Sequence, residues 1–170
     1  MELMEGLLTR RSIRSFTGAP VSRDQVEKVL RAAMHAPSAR NRRPWHFVVT
    51  RDQEMFRRIM EVHPYAAMLE KAGAAILVCG DLEQQHGPGY WVVDCSAATE
   101  NLLLAIHALG LGGVWLGVHP REDRKSALKK LFSLPSSVEP LALVAMGVPA
   151  ERPEQPAGRY EPEKIHWERW

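Results

Sequence analysis

The sequence predicts a single domain that contains both helices and strands. The chain has 170 residues, long enough to bury about two-thirds of its unfolded surface without a disulfide to hold the core together. Four short apolar runs are typical of buried strands, and the segments between them place apolar residues at the spacing of amphipathic helices. This alternation predicts a mixed fold but does not determine the order of the strands in a sheet.

Helical spacing and end signals predict five helices. Ser22 and Gln25 have the S-x-x-Q form of a capping box at the start of the second helix, and Pro37 follows its end. Asp52 is a suitable N-cap for the third helix, and Pro120 suits the first turn of the fifth. The predicted helices cover residues 2–9, 23–36, 52–60, 91–109 and 120–135.

Apolar runs predict four strands. Run 74–79, with the sequence A-A-I-L-V-C, is continuously apolar, which suits a strand that is buried on both faces. The polar segment 84–89 contains G-P-G and predicts an exposed loop, which is a candidate lid. The predicted strands cover residues 45–50, 74–79, 114–118 and 141–146.

Apolar residues occur around most of the circumference of predicted helix 91–109, so this helix must be covered on nearly every side. The cover can come from the rest of the chain or from a second copy, and we favour the second copy. The polar exceptions on this helix are expected to be hydrogen-bonded core or interface positions rather than catalytic groups. They are Asp94, Glu100, Asn101 and His107.

Composition narrows the class of protein. A formal net charge of +2 with 25% charged residues is too balanced to indicate a nucleic-acid-binding or membrane-surface protein by charge alone. Cys79 and Cys95 stand far apart in apolar surroundings, as expected of small core residues in a reducing compartment. The sequence shows neither a leader-peptide pattern nor an apolar run of the ~18 residues that span a bilayer, so we expect a cytoplasmic protein.

Two arginine clusters are candidate binding sites. Segment 9–14, T-R-R-S-I-R, brings three guanidinium groups and two hydroxyls together, a donor set that matches the oxygens of a phosphate. Ordinary solvated charge is the alternative interpretation. The second cluster lies in the loop 36–45 and consists of Arg40, Arg42 and Arg43 beside Ser38 and Asn41.

Two further segments are suited to contact a ligand or partner. The sequence G-L-G-G at 110–113 allows close backbone approach to a flat ligand, although a simple helix C-cap explains it as well. Residues 150–170 form a proline-rich tail, including Pro156, that ends in large apolar residues and is predicted to dock on the body or on a partner. Arg159 on this tail is available as a further anion ligand.

Five motifs in a fixed order resemble the nitroreductase family of FMN-dependent oxidoreductases. They are R-R-S-I-R at 10–14, A-P-S-A-R-N-R-R-P-W-H-F at 36–47, G-L-G-G-V-W at 110–115, P-L-A-L-V-A-M-G-V-P at 140–149 and the closing K-I-H-W-E-R-W. The resemblance implies an α+β fold in which a mainly antiparallel central sheet is flanked by helices. It also implies an intertwined homodimer with FMN at the subunit interface, a single FMN-binding domain over residues 1–149 and a docking tail over 150–170.

The resemblance also implies roles for individual residues. Arg10, Arg11 and Ser12 match residues that hold the FMN phosphate and ribityl chain, and Arg14 matches a basic residue near the flavin pyrimidine edge. The loop 37–41 matches one that reaches the flavin from the opposite subunit. The implied cofactor-binding residues are Arg10, Arg11, Ser12, Arg14, Pro37, Ser38, Asn41, Gly112, Gly113, Trp115, Leu116, Gly117 and Arg159.

Two positions depart from the family pattern. Arg40 stands where a glycine is frequent, and Arg43 stands where a glutamine is frequent. Arg43 either takes over the usual polar contact to the flavin or adds charge for a nicotinamide-nucleotide phosphate or an anionic substrate.

The implied reaction needs no side-chain nucleophile and no metal. NADH or NADPH would deliver hydride to flavin N5, and a nitroaromatic, quinone or similar small acceptor would then take it in a ping-pong mechanism. Arg14 is the expected electrostatic stabiliser of the negative charge on the reduced ring.

Two alternatives stay open at this point. The first is a flavin enzyme of the same fold with a different donor or reaction, such as a ferredoxin-linked reduction, a dehalogenation or a flavin fragmentation. The second is an anion- or RNA-binding module built on the two arginine clusters. Aromatic residues near those clusters are few, Phe16 and Trp45 only, which disfavours the module.

Overall fold

The computed structural model describes residues 1–154 and 158–170, so Pro156 of the predicted tail lies outside the described residues. The helices are α1 (Leu3–Thr9), α2 (Arg23–Ala33), α3 (Gln53–Val62), α4 (Tyr90–Ala108) and α5 (Glu122–Leu131). The strands are β1 (Trp45–Thr50), β2 (Ala74–Asp81), β3 (Gly112–Gly117) and β4 (Val138–Gly147). Short 3₁₀ turns cover Ala39–Asn41, Ala67–Lys71 and Pro162–Lys164.

The strands form one antiparallel sheet in the order β1-β2-β4-β3. The central strands β2 and β4 pair along most of their length, with Leu77 opposite Leu143, and the edge strand β3 places Trp115 opposite Val144. β1 and β3 are therefore the two opposite edges. The predicted antiparallel arrangement is confirmed, and the strand order, which the sequence left undetermined, is now assigned.

Helices cover both faces of the sheet. One hydrophobic cluster joins α2 and α4 to one face, and a second joins α3 and α5 to the other. Along β2 the side chains alternate between them, with Ile76 in the first cluster and Leu77 in the second. The prediction that this strand is buried on both faces is confirmed.

Cys79 and Cys95 are free, buried core residues, as predicted. Cys79 packs in the cluster with α3 and α5, whereas Cys95 packs in the cluster on the opposite face of the sheet. Burial raises the pKa of both thiols to about 12, so both stay protonated at neutral pH.

Most helix ends agree with the sequence signals. The capping box is present in both directions, because Gln25 N–H donates to Ser22 Oγ at 3.1 Å and Ser22 N–H donates to Gln25 Oε1 at 2.9 Å. Asp52 Oδ1 accepts from Glu54 N–H at the start of α3. The assignment of Pro120 to the first turn of α5 is wrong, because Arg121 is the N-cap and the helix begins two residues after the proline.

Helix α4 crosses the face of the sheet and is covered largely by its own chain. Near its start, Trp91 packs against Gly80 of β2, and near its end Ile106 packs against Gly113 of β3. Val93 remains 65% exposed on the outer side. The chain thus covers most of α4, and the few exposed positions, such as Val93, remain available to the expected second copy.

A partly buried ion cluster fastens α5 to β4. Glu139 Oε2 lies 2.9 Å from Lys125 Nζ, and Glu139 Oε1 lies 2.5 Å from Lys129 Nζ. Burial works to raise the pKa of Glu139, but hydrogen bonds from the two lysines outweigh it and leave the pKa below its ordinary value. The carboxylate is therefore held in its charged form.

We expect Glu139→Gln to lower the free energy of unfolding by about 2 kcal/mol, because it leaves two lysines without their shared counter-charge. Urea unfolding followed by far-ultraviolet circular dichroism measures the change. Glu61→Gln, at an exposed position of α3, is the matched control. Equal stability of the two variants would show that the cluster contributes nothing.

Candidate functional site

The first arginine cluster lies against the β3 edge of the sheet. Ile13 N–H donates to the carbonyl of Gly113 at 3.0 Å, and Ser12 forms a parallel bridge with the same glycine. Ile13 is only 8% exposed, so its side chain packs inward. A Cβ at Gly112 would lie 2.6 Å from Ile13 Cγ2, so only glycine allows this approach. The structure therefore joins segment 10–14 to the glycine segment of β3.

Three basic side chains gather at the start of this segment. Arg10 Nε lies 3.4 Å from a carboxylate oxygen of Glu100, and Arg11 donates to the carbonyls of Arg10 and Glu154. Burial, followed by the charges of Arg159 and Arg10, lowers the pKa of Arg11. Arg159 therefore lies close enough for its charge to act on Arg11. Like charges held together favour the binding of an anion.

A cavity of about 330 Å³ adjoins this cluster. Its lining includes Thr9, Arg11, His107 and Glu151. Thr9 Oγ1 and His107 Nε2 are 2.8 Å apart, and burial together with the charge of Arg10 lowers the pKa of His107. The cavity therefore places guanidinium and carboxylate groups beside a neutral imidazole.

A second cavity, of about 490 Å³, extends along β3. Arg14, Tyr65, Trp115 and Gly117 are among its lining residues. The Arg14 side chain is exposed, whereas its backbone N–H is fixed by Glu151 Oε1 at 2.5 Å. A Cβ on Gly117 would meet nothing within 4 Å, so the end of the strand is open. This surface offers a cation beside the accessible backbone of Gly117.

The sequence did not reveal the network that supports Gly117. His63 Nε2 lies 3.1 Å from the Gly117 carbonyl, and Arg124 Nη1 donates to the same oxygen at 2.7 Å. The Arg124 guanidinium also lies 5.1 Å from the centre of the Tyr65 ring. No local sequence signal marks His63 or Arg124 as partners of this carbonyl.

The second arginine cluster lies elsewhere. Ser38 and Asn41 are in the loop that leads into β1, where Ala39 N–H donates to Asp94 Oδ1 at 2.9 Å. Because β1 and β3 are opposite edges, three strand spacings, about 14 Å, separate them. In the part of the chain that the structure describes, no hydrogen bond or ion pair joins this loop to segment 10–14. One chain therefore does not bring the two halves of the predicted site together.

Within residues 1–154 and 158–170, no three histidine, cysteine, aspartate or glutamate side chains are grouped to hold a metal ion. The same residues contain no helix that is long and apolar enough to cross a bilayer.

The model of the Nitroreductase family matches residues 7–72 and 60–148. The chain belongs to the nitroreductase family. A protein from Methanothermobacter thermautotrophicus, provisionally named NADH dehydrogenase/NAD(P)H nitroreductase, is 48% identical to this nitroreductase-family chain over 170 residues. The matched region covers 100% of this chain and 88% of the relative.

Solved structures confirm the predicted nitroreductase-like fold. A Parabacteroides distasonis structure with the same provisional name has a TM-score of 0.92 and 39% identity, and covers 98% of each chain. A Desulfovibrio desulfuricans structure, provisionally named a nitroreductase and solved in complex with FMN, has a TM-score of 0.87 and 30% identity, and covers 100% of this chain and 98% of its own.

We expect the support beneath Gly117 to make stability depend on pH. Burial lowers the pKa of His63 from its ordinary 6.5, despite an opposing hydrogen bond to Gly117. The unfolded chain therefore binds this proton more readily than the folded protein does. Stability is full above the ordinary pKa and falls as the pH drops through the lowered one.

His63→Gln keeps a donor near Gly117 and should flatten the fall in unfolding free energy between about pH 7.5 and about pH 5. His35→Gln, at an exposed position, is the control and should retain the wild-type slope. An unchanged slope in His63→Gln would show that His63 is not the titrating group.

Proposed function

We propose that this nitroreductase-family protein is an FMN-dependent oxidoreductase that takes hydride from NADH or NADPH and passes it to small electrophilic acceptors. The observation that carries the proposal is the cluster of Arg10, Arg11 and Arg159 beside Ser12, at the β3 edge of the sheet, where the strand ends at the exposed Gly117. Relatives whose names include NAD(P)H nitroreductase and FMN reductase support it, as does the FMN complex of the Desulfovibrio desulfuricans structure.

The residues present suit FMN. Guanidinium groups and a hydroxyl match the phosphate monoester, and the open end of β3 at Gly117 suits a flat ring. In this proposal Arg10, Arg11, Ser12 and Arg159 hold the phosphate end, and the backbone of residues 112–117 borders the ring. When bound, FMN supplies the hydride transfer to nitroaromatic or quinone acceptors in ping-pong order.

Arg14 has a separate task in this proposal. Its side chain is exposed and lines the larger cavity together with Trp115, Leu116 and Gly117. A fixed positive charge at that position stabilises the negative charge that develops on the pyrimidine edge during reduction. The backbone bonds that Glu151 makes to Arg14 and Ser15 hold the segment in place.

We further propose a homodimer in which the loop with Pro37, Ser38 and Asn41 completes the partner's cofactor site. Two observations support it. The loop and segment 10–14 lie at opposite sheet edges, and several large apolar side chains face solvent in the single chain. The exposed apolar residues include Leu3, Leu8, Val93, Trp167 and Trp170. Docking of the 150–170 tail, as part of this interface, remains a prediction.

A flavin enzyme with a different electron donor or reaction is the alternative within the same fold. An RNA-binding module is less well supported, because the first arginine cluster is folded against a sheet edge and engages Glu100 instead of forming an open basic strip.

Arg10→Ala combined with Ser12→Ala should weaken FMN binding by about 3 kcal/mol, roughly a hundredfold, while leaving the fold intact. Each lost group removes a charge-assisted or neutral hydrogen bond to the phosphate. Flavin fluorescence titration of apoprotein measures the affinity, and Arg58→Ala, on the exposed side of α3, is the control. Undiminished FMN affinity in the double variant would refute the assignment of the phosphate site.

Stopped-flow absorbance under anaerobic conditions tests the electron donor. NADH or NADPH should bleach the flavin band of the loaded protein, and a quinone or nitroaromatic acceptor should restore it in a second mixing step. Bleaching by reduced ferredoxin but by neither nicotinamide would replace the proposed reaction with the ferredoxin-linked alternative.

A further inference from the structure

The loop between α2 and β1 carries three exposed guanidinium groups within four positions. They belong to Arg40, Arg42 and Arg43. Across residues 1–154 and 158–170, no carboxylate lies within salt-bridge distance of any of the three. By contrast, Arg10, Arg23 and Arg57 each pair with a glutamate. Three like charges without a counter-charge create a local potential that attracts anions.

The backbone of this loop places arginine where glycine would fit more easily. Arg40 and Arg43 adopt left-handed conformations, with φ of 49° and 50°, and Asn41 between them has a φ of 55°. Asparagine tolerates this region, whereas arginine pays a steric cost there. Strain of this kind is concentrated at functional sites, where the side chain has a use that outweighs the cost.

Two side chains hold the loop from within. Asp94, only 3% exposed, accepts the Ala39 N–H through Oδ1 at 2.9 Å, and Ser38 Oγ accepts the Arg43 N–H at 3.0 Å. The arginine backbone is therefore fixed before any ligand arrives. A preorganised loop loses less conformational entropy on binding than a free one does.

The three arginines of this loop are not needed to bind the FMN phosphate. FMN carries one phosphate, and the proposed function assigns it to Arg10, Arg11 and Arg159 at the β3 edge. The arginine loop adjoins β1, at the opposite edge. If the loop of one subunit borders the flavin ring of the other, its charges face the space that the reactants enter.

We propose that this loop is a receptor for an anionic oxygen group on a reactant of the flavin, formed by Arg40, Arg42 and Arg43. The proposal rests on the proposed function. The group is the 2′-phosphate of NADPH or the carboxylate of an acceptor. A guanidinium fork binds either of them through paired charge-assisted hydrogen bonds. The loop thereby selects NADPH over NADH, or charged acceptors over neutral ones, and selection weakens as ionic strength rises.

Equilibrium binding to the FMN-loaded protein tests the receptor without turnover. Calorimetry compares 2′,5′-ADP with 5′-AMP, which lacks only the 2′-phosphate, and 4-nitrobenzoate with its neutral analogue 4-nitrobenzamide. The variants are Arg40→Gly, which removes the guanidinium and relieves the left-handed backbone, and the triple change Arg40→Gly, Arg42→Gln and Arg43→Gln. Arg40→Lys keeps the charge, and Arg58→Gln is the control from another exposed surface.

We expect the wild-type protein to prefer one anionic probe over its matched analogue by about tenfold or more. The triple variant should lose that preference, Arg40→Lys should retain part of it, and Arg58→Gln should retain all of it. Loss with 2′,5′-ADP identifies the donor phosphate, and loss with 4-nitrobenzoate identifies an acceptor carboxylate.

Equal binding of both members of each pair, in wild type and triple variant alike, overturns the receptor. That result leaves FMN binding and flavin bleaching by NAD(P)H intact, so it is distinct from a failure of the proposed function. If the triple variant no longer binds FMN, the comparison is made with Arg40→Gly alone. Loss of the preference for the anionic probe then supports the receptor, and an unchanged preference overturns it.

Discussion

The contact of segment 10–14 with β3 is the constraint on which the site depends. Ile13 enters a space that exists only because Gly112 has no side chain, and its N–H is bound to the Gly113 carbonyl. Side chains alternate along an extended segment, so burial of Ile13 directs its neighbours Ser12 and Arg14 outward. An apolar contact thus orients the polar groups, and a methyl group at Gly112 would disturb the arginines without touching them.

Helix α4 relates the two arginine clusters to each other. From its start to its end, Asp94 holds the loop before β1, Glu100 pairs with Arg10, and His107 contacts Thr9 at the end of α1. All three are polar side chains on a helix that is otherwise mostly apolar. One helix therefore contacts both the loop before β1 and the segment that carries Arg10. Each of these polar side chains has a partner within the fold, although Glu100 itself lies at an exposed position.

Local structure was predictable from the sequence because its signals are local. The capping box at Ser22, the cap at Asp52 and the continuous apolar run of β2 each specified an element that the structure contains. The error at Pro120 has the same origin, since proline fits equally well in the first turn of a helix and just before it. The strand order depends on pairing between distant segments, and only the family resemblance suggested an antiparallel sheet.

The candidate site could be proposed from the sequence where a residue type carries its own chemistry, as the arginines do. It was not predictable where the role arises from packing. His63 and Arg124 are 61 positions apart in the sequence, yet both bind the Gly117 carbonyl. No pattern in either neighbourhood indicates that meeting. Asp94 was recognised as a polar exception on a helix, but its attachment to the loop before β1 required knowledge of the tertiary contact with Ala39.

The separation of the two half-sites has a thermodynamic consequence for the proposed dimer. If FMN contacts segment 10–14 of one subunit and the loop of the other, it binds the associated state more tightly than the single chain. Any ligand with such a preference stabilises the state that it favours, by an amount that grows with the logarithm of its concentration. Cofactor binding and association are then reciprocal, so contacts made by the loop before β1 affect FMN affinity even though they belong to the opposite edge of their own sheet. In the proposed dimer, the strained backbone at Arg40 and Arg43 would lie in that coupling element, so that anchoring by Asp94 would act on a site in the other subunit.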